Sequence, residues 1–205
     1  MKVKLYLASG SPRRVEILRD AHIPFEQVSA PVNESSSAGE TGLQRVLRLA
    51  QAKAEAGAEV VRRIGSNTGA GASSPALVIG ADTEVVIDGE VLGKPESDAH
   101  AQRMLRRLAG RTHEVITGVT VIRLPDGVRR SEHEVTQVTF APISDDEIAA
   151  YVASGEHRDK AGAYAIQGRA GTFVTRIEGC YFNIVGLPLA RLYRMLREMG
   201  WEART

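Results

Sequence analysis

Leu77-Val78-Ile79-Gly80-Ala81 is an unbroken apolar run closed by Asp82. Without alternation, such a run is the pattern of a strand buried on both faces, here one that delivers a polar residue at its end. Residues 2–8 read as a second apolar-rich strand, and residues 24–32 as an extended segment. Residues 85–87 and 91–92, joined by Asp88-Gly89, predict a hairpin. Residues 115–122 and 134–140 alternate as strands do and meet through the turn Pro125-Asp126-Gly127. Leu43, Val46, Leu47, Ala50 and Ala54 recur at helical spacing. Ser97 caps a helix reaching about Leu108, where Gly110 stops it, and Ser144 with Glu147 forms a capping box for a helix over 145–153. Pro188 opens a last helix whose Leu189, Leu192, Tyr193, Leu196 and Met199 face the core. Strands, hairpins and helices without strict alternation predict a mixed α/β (α+β) sheet with flanking helices, not a doubly wound nucleotide-binding fold.

The polar residues matter most where a strand feeds a helix. In Leu7-Ala8-Ser9-Gly10-Ser11-Pro12-Arg13-Arg14, Ser11 is a good N-cap, Pro12 fits the first helical position, and Val15, Ile17 and Leu18 give the helix an apolar side. Two arginines then fall in the first turn, where the helix dipole disfavours cations. An anion offsets them: free backbone N–H groups already attract one, and Arg13 and Arg14 add forked donors suited to phosphate oxygens.

Composition narrows the partners. Lys+Arg 26 against Asp+Glu 25 gives a net charge of +1, so no global field recruits nucleic acid or an anionic membrane, and anion binding must be local. Cys180 is the sole cysteine, which excludes an intrachain disulfide and a cysteine zinc cluster and fits a reducing cytoplasm. The first residues hold only the short apolar run 5–8, and no stretch approaches the roughly 18 apolar residues of a membrane span. An unexported cytoplasmic protein follows. At 205 residues with 43% hydrophobic content, and with neither a linker nor an internal repeat, the chain predicts one folding unit. Residues 65–75 have almost no side chain to bury and lack the Lys-Ser/Thr ending of a P-loop, so they read as a flexible insertion.

Single residues leave alternatives open. Lys53 falls beside the apolar stripe of its helix, where it either snorkels from a buried face or points into a neighbouring cleft. Asp82 either caps a turn or does chemistry, and Gln167 before Gly168 is either a turn residue or a ligand reader. His113 and His133 read as strand starts without a His-Glu-x-x-His zinc motif, and His22, His100 and His157 are isolated, with surface or half-buried placement as the default.

The opening segment resembles the signature of the Maf family of nucleotide pyrophosphatases, also called septum formation proteins. Three further blocks resemble that family in the same order: Ala81-Asp82-Thr83 with Gly93-Lys94-Pro95, then residues 159–168 (DKAGAYAIQG), then Gly186-Leu187-Pro188-Leu189. Ala165 stands where the family usually has glycine, and Cys180-Tyr181-Phe182 replaces a more polar stretch. The resemblance implies two lobes around a long mixed twisted sheet, with the site in the central cleft, similar to the inosine triphosphate pyrophosphatase fold.

Hydrolysis of a nucleoside triphosphate needs cations for the polyphosphate, carboxylates for a divalent metal and a base for water. Arg13, Arg14, Lys53 and Lys94 supply the cations, with Lys53 and Lys94 assigned to catalysis. By resemblance Asp82 is the proton acceptor. Glu34, Asp82 and Asp159 are the candidate ligands of a divalent cation, magnesium foremost, with manganese or cobalt as alternatives. Ser9, Ser11, Arg13, Arg14, Thr83, Lys160 and Gln167 are the candidate substrate contacts. The side-chain amide of Gln167 can meet a base carbonyl and ring N–H. Arg13, Thr83 and Gln167 resemble the branch acting on dTTP and UTP, not that acting on 7-methyl-GTP. A homodimer is a further implication of the family. Two functions therefore compete: hydrolysis of a pyrimidine triphosphate to its monophosphate and pyrophosphate, and non-catalytic binding of nucleotide or nucleic acid by a division regulator. Unpaired carboxylates beside phosphates, useless to a pure binder without a metal, favour the first.

Overall fold

The apolar run becomes the first half of a long central strand. In a computed structural model that describes residues 3–29, 31–67 and 75–202, it belongs to β3 (Ala76–Ile87). This strand pairs parallel with β1 (Lys4–Ala8) and antiparallel with β5 (Thr112–Leu124). With β2 (Glu26–Val28), β6 (Arg129–Phe140) and β7 (Val174–Glu178) the order is β2-β1-β3-β5-β6-β7, and a short β4 (Glu90–Leu92) pairs with β3. Asp88 and Gly89 both hold positive φ, the backbone a tight two-residue hairpin requires.

The strand does not stop at Asp82, as the apolar run alone implies. It continues because β5 pairs with it from Ala76 through Val86, so its polar stretch still has a full ladder on one side. On the other side β1 pairs with residues 76–79 and β4 with residues 85–87. Residues 80–84 lie in the gap between them, and there the sheet opens.

Both faces are covered, which explains the lack of alternation in β3. On one face, α1 (Pro12–Asp20) and α6 (Leu189–Glu198) pack Val15, Leu18, Leu192 and Leu196 against Leu77, Ile79 and Ala81. Further along that face, α3 (Asp98–Leu108) and α4 (Asp145–Ala153) pack Met104, Leu105 and Ile148 with Val85 and Ile87. Thr83 falls between these two clusters, so the lobes flank one sheet. The opposite face is covered by α2 (Gly42–Asn67), which seats Ala54 and Ala58 on Val78, and Val46 on Val86. A Cβ on Gly80 would lie 2.3 Å from the Ala50 carbonyl oxygen, so only glycine lets the helix lie this close.

Local caps form as read: Ser97 accepts from the His100 amide, and Ser144 and Glu147 complete their box. Several readings are corrected. The helix runs through Gly65 and Ser66 to Asn67, since glycine near a long helix's end costs only about 1 kcal/mol; the rest of the 65–75 insertion, residues 68–74, lies outside the described residues. Among the described residues of 24–32 only Glu26–Val28 is strand. His133 lies inside β6, and His157 is buried, its Nε2 3.1 Å from Asp98 Oδ1. A short α5 (Tyr181–Val185) precedes the last helix. Among the described residues no helix is long and apolar enough to cross a membrane.

Candidate active site

The gap beside residues 80–84 opens into a cleft of ≈ 1590 Å³. Its floor is a ladder of opposite charges between β3 and α2. Asp82 and Glu84, two apart on a strand, share the face toward α2; Arg45 and Lys53, two helical turns apart with Leu49 between them, share the face toward the strand. Lys53 Nζ meets Asp82 Oδ1 at 2.7 Å and Glu34 Oε1 at 2.6 Å, while Arg45 Nε meets Glu84 Oε1 at 2.7 Å. Of the two readings left open for Lys53, the structure takes the one that points into the cleft. Its hydrogen bond is also the main reason the Glu34 carboxyl sits below the usual range. Glu84 is instead pushed up to about 7, by burial first and then by the charge of Asp82, against the pull of Arg45.

A second wall is built by the strand-to-helix turn. Ser9 Oγ accepts from the Ser11 amide and from Arg14 Nη1. The buried Arg14 guanidinium also donates through Nε to the Gly186 carbonyl oxygen at 2.8 Å and through Nη2 to Thr83 Oγ1 at 3.1 Å. Burial lowers its affinity for the proton, and the charges of Asp82 and Glu34 oppose that. Three of its five donors are thus spent on the protein, so the paired arginines divide their work: Arg14 braces the cleft while Arg13 reaches its mouth. Ser11 has N-cap backbone geometry but its side chain makes no capping bond, which leaves the helix start open toward the cleft.

The third wall carries Lys94, Asp159, Lys160 and Gln167. The Gly162 amide donates to the Gly93 carbonyl oxygen at 3.1 Å, fastening residues 93–95 to residues 159–163. Lys160 is pushed below the usual lysine range by burial, then by the neighbouring charge of Arg13, with Asp159 opposing and Lys94 adding to it. Three cations therefore crowd one side of the cleft, a field that favours a polyanion. Arg13 Nη1 donates to Gln167 Oε1 at 2.8 Å, closing the ring of walls.

The family model described as Maf-like protein matches residues 4–199. The chain belongs to this Maf-like family. A dTTP/UTP pyrophosphatase of Carboxydothermus hydrogenoformans is 46% identical over 97% of this chain and 100% of its own length. Those of Koribacter versatilis and Salmonella typhimurium are 51% and 49% identical over 96% and 94% of this chain, spanning 94% and 91% of their own. The structure of the Staphylococcus aureus Ham1 protein aligns with a TM-score of 0.49 at 17% identity, covering 96% of this chain and 99% of that one.

In this Maf-like chain all twelve residues singled out from sequence line the same cleft: Ser9, Ser11, Arg13, Arg14, Glu34, Lys53, Asp82, Thr83, Lys94, Asp159, Lys160 and Gln167. They are not all brought together. Asp159 is exposed on the third wall, and no group of three acidic, histidine or cysteine side chains able to hold a metal forms among the described residues. Glu34 and Asp82 do converge, on one cation, Lys53. The fold also adds Glu84 and Arg45, which the sequence reading missed. Strand alternation was the available signal for Glu84, and the helical interval from Lys53 for Arg45, once residues 82–84 are known to be strand.

Proposed function

We propose that this chain hydrolyses dTTP and UTP to the nucleoside monophosphate and pyrophosphate. One observation carries the reading: a pair of carboxylates converging on Lys53 faces Arg13, Lys94 and Lys160, none of them in an ion pair among the described residues, across a cleft large enough for a nucleotide. The full-length relatives named dTTP/UTP pyrophosphatase supply the substrate class.

In this reading Arg13, Lys94 and Lys160 take the polyphosphate, and the open start of α1 adds its amides. Asp82 takes a proton from the water that attacks the α-phosphorus. The new P–O bond forms as the bond from the α-phosphorus to its bridging oxygen breaks, and pyrophosphate leaves with that electron pair beside the cations. Lys53 orients both Asp82 and Glu34, and its hydrogen bond keeps Glu34 ionised. The hard oxygens of Glu34 and Asp82, already converging on one cation, fit a divalent ion that keeps most of its waters, magnesium foremost; when bound, it supplies positive charge to phosphate oxygens. Gln167 reads the pyrimidine edge. One sheet carries every wall, which supports a single folding unit, and a lone cysteine accords with the cytoplasm.

The test is incubation with a panel of nucleoside triphosphates and magnesium, followed by separation of products. dTTP and UTP should yield monophosphate and pyrophosphate, purine triphosphates should lag, and chelation should stop turnover. Release of inorganic phosphate with a diphosphate, or no turnover of any triphosphate, would overturn the reading.

A further inference from the structure

We infer that Arg45 is a positioning residue for Glu34 and that Glu84 aims it. The inference rests on the reading of Glu34 as half of the carboxylate pair. Glu34 sits in a loop, residues 33–41, whose one apolar side chain, Ala38, is exposed, so no apolar anchor fixes it. Polar ties from α2 hold it instead. Arg45 uses all three guanidinium nitrogens: Nε on Glu84 Oε1 at 2.7 Å, Nη1 on the Ser36 hydroxyl, and Nη2 on the Glu34 carbonyl oxygen at 3.0 Å.

Arg48 makes a different kind of tie. It holds the Ser35 carbonyl oxygen at 3.1 Å, but its carboxylate partner, Glu40, lies within the same loop. The partner of Arg45 is a buried residue two positions from Asp82 on the same strand face. Arg45 therefore links the backbone of Glu34 to the strand that carries Asp82, and through that link the separation of the two carboxylates is set. Glu84 keeps the fork turned toward the loop. A lysine could oppose Glu84 but could not reach three acceptors in a plane.

A double-mutant cycle tests this, using Glu34→Gln, Arg45→Met and the combination, with kcat/KM for dTTP as one readout. Amide hydrogen exchange of residues 33–41 in metal-free, nucleotide-free protein is the other. Arg45→Lys keeps a cation against the buried Glu84 and replaces Arg45→Met in the cycle if that variant does not fold. If Arg45 acts through Glu34, its substitution alone should lower kcat/KM about tenfold, and the combined variant should match Glu34→Gln within about twofold. Exchange at 33–41 should quicken while the amides of β3 and β5 stay protected. Losses that multiply, or unchanged exchange at 33–41, would overturn the role of Arg45 and leave the reading of the site standing. Wild-type turnover in Glu34→Gln alone would overturn the catalytic reading of Glu34 and the inference with it.

Discussion

Arg13 and Gln167, 154 residues apart in the chain, meet at 2.8 Å with the guanidinium donating to the amide oxygen. Arginine has no acceptor, so this contact fixes which end of the amide faces it. Among the described residues the Gln167 NH2 makes no hydrogen bond, which leaves the donor end for a ligand. Gln167→Glu removes that donor and, in the proposed pose, sets a carboxylate against the base carbonyl. The change should penalise dTTP and UTP by about 1–3 kcal/mol in transition-state binding. Adenine presents an amino donor and a ring acceptor there, the reverse of the pyrimidine pattern, so ATP should suffer less. The ratio of kcat/KM for dTTP and ATP decides it, and an equal loss for both nucleotides would move Gln167 to the phosphate shell.

Asp82→Asn keeps the shape of the side chain and removes the proposed base. Turnover should fall by roughly a hundredfold or more. Nucleotide affinity, measured by calorimetry, should persist, because the cations of the third wall are untouched. Near-normal turnover would reassign Asp82 to a structural ion pair with Lys53.

Gly80→Ala tests how closely α2 must lie on the sheet. The new methyl carbon would fall 2.3 Å from the Ala50 carbonyl oxygen, backbone that cannot swing away as a side chain would. Overpacking of this kind costs about 1–3 kcal/mol, readable in chemical denaturation. Turnover should fall as well, since the displaced helix carries both Arg45 and Lys53. Unchanged stability would mean that the helix has slack.

Acid sensitivity should report on His113. Burial holds its imidazole down at about 4, against an ordinary value of 6.5. Between those limits the unfolded chain binds a proton that the folded chain refuses, so stability is full above the upper value and falls as pH drops toward the lower. The loss amounts to up to about 3 kcal/mol across the window. His113→Phe, placed among Phe140 and Tyr164, removes the titration; the parent should lose stability relative to it as pH falls from 7 to 5. A difference independent of pH would show that His113 does not drive this sensitivity.

What the sequence disclosed follows from the range of the forces involved. The Asp88-Gly89 hairpin, the Ser144–Glu147 box and the Ser11-Pro12 helix start are settled by neighbours within a few residues, and all three form where the pattern places them. The two-lobed cleft was legible only through the four motif blocks, because composition does not show which segments meet. Asp82 was misread as a strand end: the apolar run does stop at Ala81, but the pairing of β5 carries the strand onward. Glu84 escaped notice because a carboxylate inside a strand signals exposure, and only Arg45, 39 residues away, makes its burial tolerable. His157 was misjudged similarly, its partner Asp98 being 59 residues distant.

The acceptors of Arg14 are scattered along the chain: Ser9 nearby, Thr83 further on, and Gly186 172 residues downstream. Synthesis runs from the N-terminus, so during translation this guanidinium must stay in water long after its own helix has left the ribosome. Desolvating it earlier would strand a cation with too few partners. The cleft can therefore close around Arg14 only once the chain has emerged beyond Gly186, and a chain stopped short of that point lacks the brace of the second wall.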